Sequence, residues 1–177
     1  EPAEVLAEAA ARRAAARPPR VVGAIGPGTK QQTRGNIHYY PLEAAEKWIA
    51  ALEEAFNQGT GQVFAVCLRE GVLIGSMGLH LTLRHFRGEA GYWIGKPYWN
   101  CGYATEALQA LIDYAFETLN LHKVTSNHLQ ENPASGRVMR KVGMQHEGTC
   151  IDQIAKGITF YTIELYGIVN PAHQPDG

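Results

Sequence analysis

The chain of 177 residues is long enough for one domain that buries a core without disulfide or metal support, and its apolar content of 45% agrees with that. A formal net charge of −1 and a pI near 6.7 exclude the concentrated positive field that general binding to nucleic acid or an acidic membrane requires. Because no apolar run is long enough to span a membrane, no signal-peptide pattern is recognisable and the three cysteines form no Cys-x-x-Cys pair, we expect a single cytoplasmic domain over residues 1–177, with reduced thiols and no metal.

The first 40 residues predict one helix and a long connection. Residues 3–17 are rich in Ala, Glu and Arg and should be helical, although Val5 and Leu6 are their only large apolar residues. Residues 18–40 carry prolines, glycines and many polar residues, which indicates either a functional loop or partial disorder. No alternating apolar run precedes this first helical segment, so no opening strand is predicted before it.

A second helix and three strands follow. Pro41 suits the first position of a helix that presents one apolar face and ends near Gly59. That face consists of Leu42, Ala45, Trp48, Ile49, Leu52 and Phe56. Apolar and β-branched runs separated by turn residues then predict strands over residues 63–69, 72–81 and 88–94.

Residues 92–105 run from a strand through a turn directly into a helix, with the sequence Tyr-Trp-Ile-Gly-Lys-Pro-Tyr-Trp-Asn-Cys-Gly-Tyr-Ala-Thr. The backbone N–H groups at a helix start have no helical partner, and the helix dipole adds positive charge there, so this corner predicts an anion site. Gly102 and Ala104 would let a ligand approach the backbone closely. An ordinary helix start that needs a flexible glycine explains the same residues. The helix itself is indicated by an apolar face at spacings of three and four: Ala104, Ala107, Leu108, Leu111, Ile112, Ala115, Phe116 and Leu119.

A second strand-to-helix corner follows the strand predicted over residues 123–129. Asn132 is a good N-cap, Pro133 suits the first helical position and Gly143 is placed to end a short helix. Its inner face should carry Ala134, Val138 and Val142, and Ser135 should lie in its first turn, facing the cleft between the strands. Two closing strands, residues 144–154 and 158–169, turn at residues 156–157, which gives a mixed sheet with helices interposed.

Three stretches together resemble the GNAT superfamily of acetyl-CoA-dependent N-acetyltransferases, and within it the branch of the ribosomal-protein alanine N-acetyltransferases. They are residues 88–94 (Gly-Glu-Ala-Gly-Tyr-Trp-Ile), residues 98–108 (Tyr-Trp-Asn-Cys-Gly-Tyr-Ala-Thr-Glu-Ala-Leu) and residues 131–144, and the likeness extends from about residue 41 to residue 166. The resemblance implies a mixed α/β (α+β) fold. Its central sheet would be mostly antiparallel, splayed between two parallel strands and flanked by helices.

The same resemblance implies direct transfer of the acetyl group of acetyl-CoA to a primary amine, on a protein N-terminus or a small molecule. It also allows a homodimer. A non-catalytic module of the same fold, which binds CoA or a partner protein, is the alternative. A phosphate or nucleotide enzyme that uses the same corner is disfavoured because the chain has no Gly-Lys-Ser/Thr triplet.

Carried onto this chain, the resemblance implies that the cofactor pyrophosphate rests on the backbone of Asn100, Cys101, Gly102, Tyr103, Ala104 and Thr105. Asn132 would bond the pantetheine arm, and a backbone N–H near Trp93 or Ile94 would stabilise the oxyanion. Ser135 would protonate the leaving thiolate, with simple helix capping as its alternative.

Glu89 is our candidate for the group that deprotonates the amine through water, with a purely structural carboxylate as the alternative and His80 as a second candidate.

Three residues of the loop depart from the family pattern. Trp99 stands where the superfamily commonly has Gln or Arg, and Asn100 and Cys101 stand where the branch usually has Gly and a basic residue. A helix N-terminus favours a reactive thiol, but no His or Asp lies at a partner spacing, so Cys101 is better explained as a small residue in a tight loop. The acceptor is not determined by the sequence, because the residues that select it lie in variable loops, here residues 18–40 and 83–88.

Overall fold

The computed structural model describes residues 30–33, 36–39 and 42–173. The helix predicted over residues 3–17 lies outside the described residues, as does much of the connection predicted over residues 18–40. Within that connection the structure has two strands that the sequence did not predict, β1 (Lys30–Thr33) and β2 (Asn36–Tyr39). They pair antiparallel in a small sheet of their own. Each has only four residues, too few for an alternating apolar pattern to be recognised.

The main sheet has six strands in the order β3-β4-β5-β6-β8-β7, and all neighbours are antiparallel except β5 and β6, which are parallel. This confirms the mixed, mostly antiparallel sheet predicted from the sequence. The observed bounds differ from the predicted ones by no more than two residues. The strands are β3 (Gly61–Cys67), β4 (Leu73–Thr82), β5 (Arg87–Ile94), β6 (Lys123–Leu129), β7 (Gln145–Lys156) and β8 (Thr159–Val169).

In the part of the chain that the structure describes, three α-helices accompany the sheet: α1 (Leu42–Asn57), α2 (Tyr103–Asp113) and α3 (Pro133–Lys141). The long helix predicted after residue 103 is regular only to Asp113 and continues as a π-helical segment, Tyr114–Thr118. Its apolar face runs through this change, because Ala115 is fully buried. In the described ranges, no helix is long and apolar enough to cross a membrane.

The core lies between α2, α3 and one face of the sheet. Its most buried side chains come from all three layers: Met77, Leu79, Leu108, Ile112, Val124 and Met139. The prediction of the inner face of α3 was partly wrong, because Ala134 is exposed. Gly136 is buried instead, along with Met139 and Val142. A Cβ at Gly136 would lie 2.5 Å from Nε2 of His128, so the missing side chain lets α3 pack closely on β6.

The parallel pairing of β5 with β6 is short. It includes only the pairs from Arg87 with Lys123 to Ala90 with Ser126. Beyond it, residues 91–94 of β5 remain paired with β4, and residues 127–129 of β6 remain paired with β8. The two strands therefore diverge and leave an opening in the middle of the sheet.

Candidate functional site

A cavity of 1190 Å³ occupies the opening between β5 and β6. It is lined by both strands, by the segment that leads into α2 and by the start of α3. Leu52 and Ala55 of α1 also line it. Most of the sequence-predicted site residues border this one cavity: His80, Glu89, Trp93, Ile94, Asn100, Gly102, Tyr103, Ala104, Thr105, Asn132 and Ser135. Cys101 does not. It is exposed, and its Sγ donates to the carbonyl of Trp99 at 3.4 Å.

The base of the opening is fixed by a side-chain hydrogen bond. The hydroxyl of Ser126 donates to the carbonyl of Ala90 at 2.8 Å, at the last pair of the parallel ladder. Ser126 is 2% exposed, so this bond forms away from water. It ties the two strands together at the point from which they diverge.

The register of β4 and β5 decides which backbone groups face the opening. The N–H of Gly95 donates to the carbonyl of Ile74 at 2.7 Å, and antiparallel pairing alternates from there. Trp93 therefore directs its N–H and C=O at β4, whereas Tyr92 and Ile94 direct theirs toward the opening. Of the two backbone positions proposed from the sequence for oxyanion binding, only Ile94 has this orientation.

The side chain of Trp99 forms a hydrogen bond with one of these backbone groups. Its indole Nε1 donates to the carbonyl of Ile94 at 2.6 Å. The residue that departs from the family pattern thus closes the end of the opening and leaves the Ile94 N–H facing the cavity.

The turn before α2 presents a row of unpaired N–H groups. Asn100 and Gly102 are both left-handed, with φ of 61° and 89°. Asparagine is among the few side chains that adopt this conformation readily, which accounts for Asn100 where the resemblance led us to expect glycine. Among the residues that the structure describes, no backbone carbonyl accepts from the N–H groups of residues 100–104, whereas Thr105 and Glu106 both donate to the carbonyl of Gly102. Such a row of free N–H groups is the geometry that the predicted anion site requires.

Cationic side chains line the same cavity. They are Lys96, Arg137, Lys141 and Lys156, and Arg137 and Lys141 lie four residues apart, on one side of α3. A bound anion would meet both the backbone N–H groups and these positive charges. Across the described ranges, no cluster of three or more His, Cys, Asp or Glu side chains could hold a metal ion.

The start of α3 orients Ser135. Oδ1 of Asn132 accepts from the N–H of Ser135 at 3.4 Å, and Nδ2 of Asn132 donates to Oγ of Ser135 at 3.0 Å. Asn132 is thus the N-cap predicted from the sequence. Because the serine oxygen accepts from Asn132, its own hydroxyl hydrogen stays available for another group.

Tyr92 spans the opening on the side of the helices. Its hydroxyl donates to the carbonyl of Ser135 at 3.1 Å. Burial raises the pKa of Tyr92 to about 12, against the opposing effect of its hydrogen bond with Ser135. The phenol is therefore a neutral donor at physiological pH.

Glu89 lies on the opposite face of the sheet, exposed to the cavity. Nδ2 of Asn127 donates to its Oε1 at 2.7 Å, from a strand position just past the end of the parallel ladder. His80 is directly opposite Glu89 in the β4–β5 register but forms no hydrogen bond with it. Sequence reasoning missed both Asn127 and Tyr92, because each acts across the opening and only the strand register brings it to its partner.

Comparisons with known proteins bear on this site. Residues 10–145 match the family model described as an acetyltransferase (GNAT) domain. The uncharacterized N-acetyltransferase YnaD of Bacillus subtilis is 39% identical over 119 residues, which are 64% of this chain and 68% of that protein. The uncharacterized N-acetyltransferase YoaA of the same organism is 35% identical over 147 residues, 75% of this chain and 80% of that protein.

Solved structures also share the fold. The ribosomal-protein-S5-alanine acetyltransferase of Vibrio fischeri superposes with a TM-score of 0.71 at 20% identity, covering 81% of this chain and 80% of that one. The spermidine N-acetyltransferase of Vibrio cholerae, in complex with CoA and spermine, has a TM-score of 0.66 at 21% identity, covering 74% of this chain and 76% of that one.

Replacing Tyr92 with Phe should change the stability of the protein at alkaline pH. The folded-state pKa of Tyr92 is raised from 10.0 to about 12, so the stability that its neutral form contributes is present below pH 10 and is lost as the pH rises through about 12. Between those limits the wild type should lose about 2 kcal/mol more of its free energy of unfolding than Tyr92→Phe does. Urea unfolding across this pH range measures the difference. Parallel losses in the two proteins would show that Tyr92 is not shielded from water.

Proposed function

Because the chain belongs to the GNAT acetyltransferase family and is an N-acetyltransferase, we propose that it binds acetyl-CoA in the opening between β5 and β6 and transfers the acetyl group directly to a primary amine. The observation that carries this proposal is the opening itself, which leads from the diverging strands to the unpaired N–H groups at the start of α2.

The phosphate end of acetyl-CoA fits the turn before α2. The N–H groups of residues 100–104 supply hydrogen bonds, the helix dipole of α2 adds positive charge, and a side chain is missing at Gly102, where nothing lies within 4 Å of a Cβ. The positive charges of Lys96, Arg137 and Lys141 would offset the remaining negative charge of the phosphates. Asn100, Cys101, Tyr103, Ala104 and Thr105 contribute through their backbone.

The reacting end of acetyl-CoA supplies an activated thioester. Of this chain's groups, the N–H of Ile94 and that of Tyr92 point into the opening, where they can donate to the oxygen that gains charge during acyl transfer. One such donor is worth roughly 3 kcal/mol in acyl transferases. Asn132 lies at the edge of the same cavity, and we expect its side chain to bond the pantetheine arm.

Glu89 is the proposed base. The carboxylate faces the cavity on the side of the sheet opposite α2 and α3, where an amine can approach the opening. Asn127 holds one carboxylate oxygen with a neutral amide, which orients the group without cancelling its charge. The second oxygen is left to accept a proton, directly or through water.

Ser135 is the proposed acid for the leaving thiolate. Its oxygen accepts from Asn132, so its hydroxyl hydrogen can point into the cavity. The carbonyl of Ser135 is held by Tyr92, which fixes the first turn of α3 relative to β5. With a base on one face of the opening and an acid on the other, the site contains both groups that amine acetylation needs.

The acceptor is a primary amine of a protein N-terminus or a small molecule. The relatives named for acting on ribosomal protein or spermidine support this class. A non-catalytic CoA-binding module is the alternative. Incubation with acetyl-CoA and a library of peptides and amines decides between the two, since an enzyme releases thiol and acetylates a member of the library, whereas a binding module does neither.

Gly102→Ala should weaken CoA binding by at least about tenfold, or about 1.4 kcal/mol, because the new Cβ points where the phosphates rest. Gly71→Ala is the matched control. Gly71 has nearly the same left-handed φ, 85° against 89°, and equally open space, but lies in a turn remote from the cavity. Both variants should lose similar thermal stability, and calorimetry should show weaker CoA binding only for Gly102→Ala. Equal dissociation constants for both would remove Gly102 from the phosphate site.

Ser135→Ala should lower kcat by about 10- to 100-fold, since the leaving thiolate loses its proton donor. The dissociation constant of CoA should change little because the backbone of α3 is unaffected. Steady-state kinetics and calorimetry on the same preparation separate the two effects. Unchanged turnover would exclude Ser135 as the acid.

Asn127→Ala should lower kcat/KM for the amine by about tenfold, and it should have no further effect in a Glu89→Gln background. Its role is to position Glu89, so its loss matters only while the carboxylate is present. Kinetics of the wild type, the two single variants and the double variant complete the cycle. Independent, multiplicative losses would show that Asn127 does not act through Glu89.

A further inference from the structure

The glycines of β4 and β5 are not equivalent. Three of the four have neighbouring atoms close to where a Cβ would lie. A Cβ at Gly75 would collide with the carbonyl of Trp93, one at Gly88 would lie 2.7 Å from Cδ1 of Leu79, and one at Gly78 would lie 3.1 Å from Cγ2 of Val63. In these positions any side chain would push neighbouring groups aside.

Gly91 has no such requirement. Among the described residues, nothing lies within 4 Å of a Cβ built there, and its φ is outside the left-handed region. It is exposed and lines the cavity. Because glycine weakens the interior of a strand, its presence at this position is unfavourable for the fold and needs another reason.

We propose that Gly91 keeps open the passage through which the carbon skeleton of an aliphatic primary amine reaches the reaction centre. This inference rests on the proposed acetyl transfer. The side-chain direction at position 91 is the face of the sheet that carries Glu89, opposite α2 and α3, since residues 89, 91 and 93 share one face of a strand. On the other face, Tyr92 and Ser135 close the opening with a hydrogen bond.

The shape of the passage follows from the β4–β5 register. Gly91 is directly opposite Gly78, so this pair carries no side chain and forms a floor, with Cγ2 of Val63 packed beside Gly78. Glu89 with His80 borders this floor on one side, and Trp93 with Ser76 borders it on the other. The α-carbons of Glu89 and Trp93 are about 13 Å apart, which accommodates a chain of several methylene groups.

The chemistry of the borders defines the ligand. The Glu89 carboxylate attracts an ammonium group, and the Trp93 indole offers an apolar surface for the carbons attached to it. The amine nitrogen then lies beside Glu89, next to the backbone of Tyr92 that faces the opening. A side chain at position 91 would occupy the space in which those carbons must lie.

The test compares Gly91→Ala and Gly91→Val with the wild type, and uses Ala155→Val as a matched control for added bulk on an exposed strand residue outside the cavity lining. The acceptors are a series of aliphatic primary amines with increasing substitution near the nitrogen. Thiol release in the absence of amine measures hydrolysis of acetyl-CoA by water. Water is small enough to reach the thioester without the passage at Gly91. Melting temperature and the dissociation constant of CoA are measured for each protein.

Gly91→Val should raise KM for unbranched amines by about tenfold and for branched ones by more, and Gly91→Ala should have a smaller effect of the same kind. The melting temperature should not fall, CoA binding and thiol release to water should stay within about twofold, and Ala155→Val should match the wild type throughout. Wild-type KM values in Gly91→Val would overturn the inference, as would a lower melting temperature or weaker CoA binding, since either would show that the fold or cofactor needs the glycine. If the wild type releases no thiol to any amine yet binds CoA, the proposed function itself fails and the passage has no substrate.

Discussion

The site depends on one constraint: the backbone hydrogen bonds between β5 and β6 stop at Ala90 and Ser126 while each strand continues on its other neighbour. Parallel strands normally continue their pairing because unpaired backbone groups are costly to bury. Here the ladder ends at a buried hydroxyl, that of Ser126, which bonds the Ala90 carbonyl and secures the point of divergence. The N–H groups beyond that point are thereby made available to a ligand.

Neutral side chains hold both faces of this opening in place. Tyr92 bonds the first turn of α3 on the side of the helices, and Asn127 bonds Glu89 on the opposite side. A positively charged donor at either position would interact with the charge of the ligand or neutralise that of the carboxylate. An uncharged donor fixes geometry and leaves the negative charge of Glu89 available for an ammonium group.

The departures of the loop from its family pattern acquire physical explanations from the structure. Asn100 adopts a left-handed conformation that most side chains avoid, and Trp99 satisfies the Ile94 carbonyl at the end of the opening. In the proposed phosphate site, Lys96, Arg137 and Lys141, which line the same cavity from other segments, would offset the absence of a basic residue at position 101. Binding through backbone groups tolerates such changes because every residue supplies the same N–H.

The sequence by itself determined the six strands of the main sheet, the two helix-start corners and the capping of α3 by Asn132, because periodicity, N-caps and turn residues act over a few neighbouring positions. It did not predict β1 and β2, whose four-residue lengths carry too little pattern, and it misassigned Ala134 to the buried face of α3. Only the tertiary structure decided that Trp93 turns its N–H toward β4, that Asn127 reaches Glu89 and Tyr92 reaches Ser135, and that no described residue packs where a side chain at Gly91 would lie. Each of these depends on strand register and on where the parallel ladder ends, which are set by packing between segments far apart in the chain.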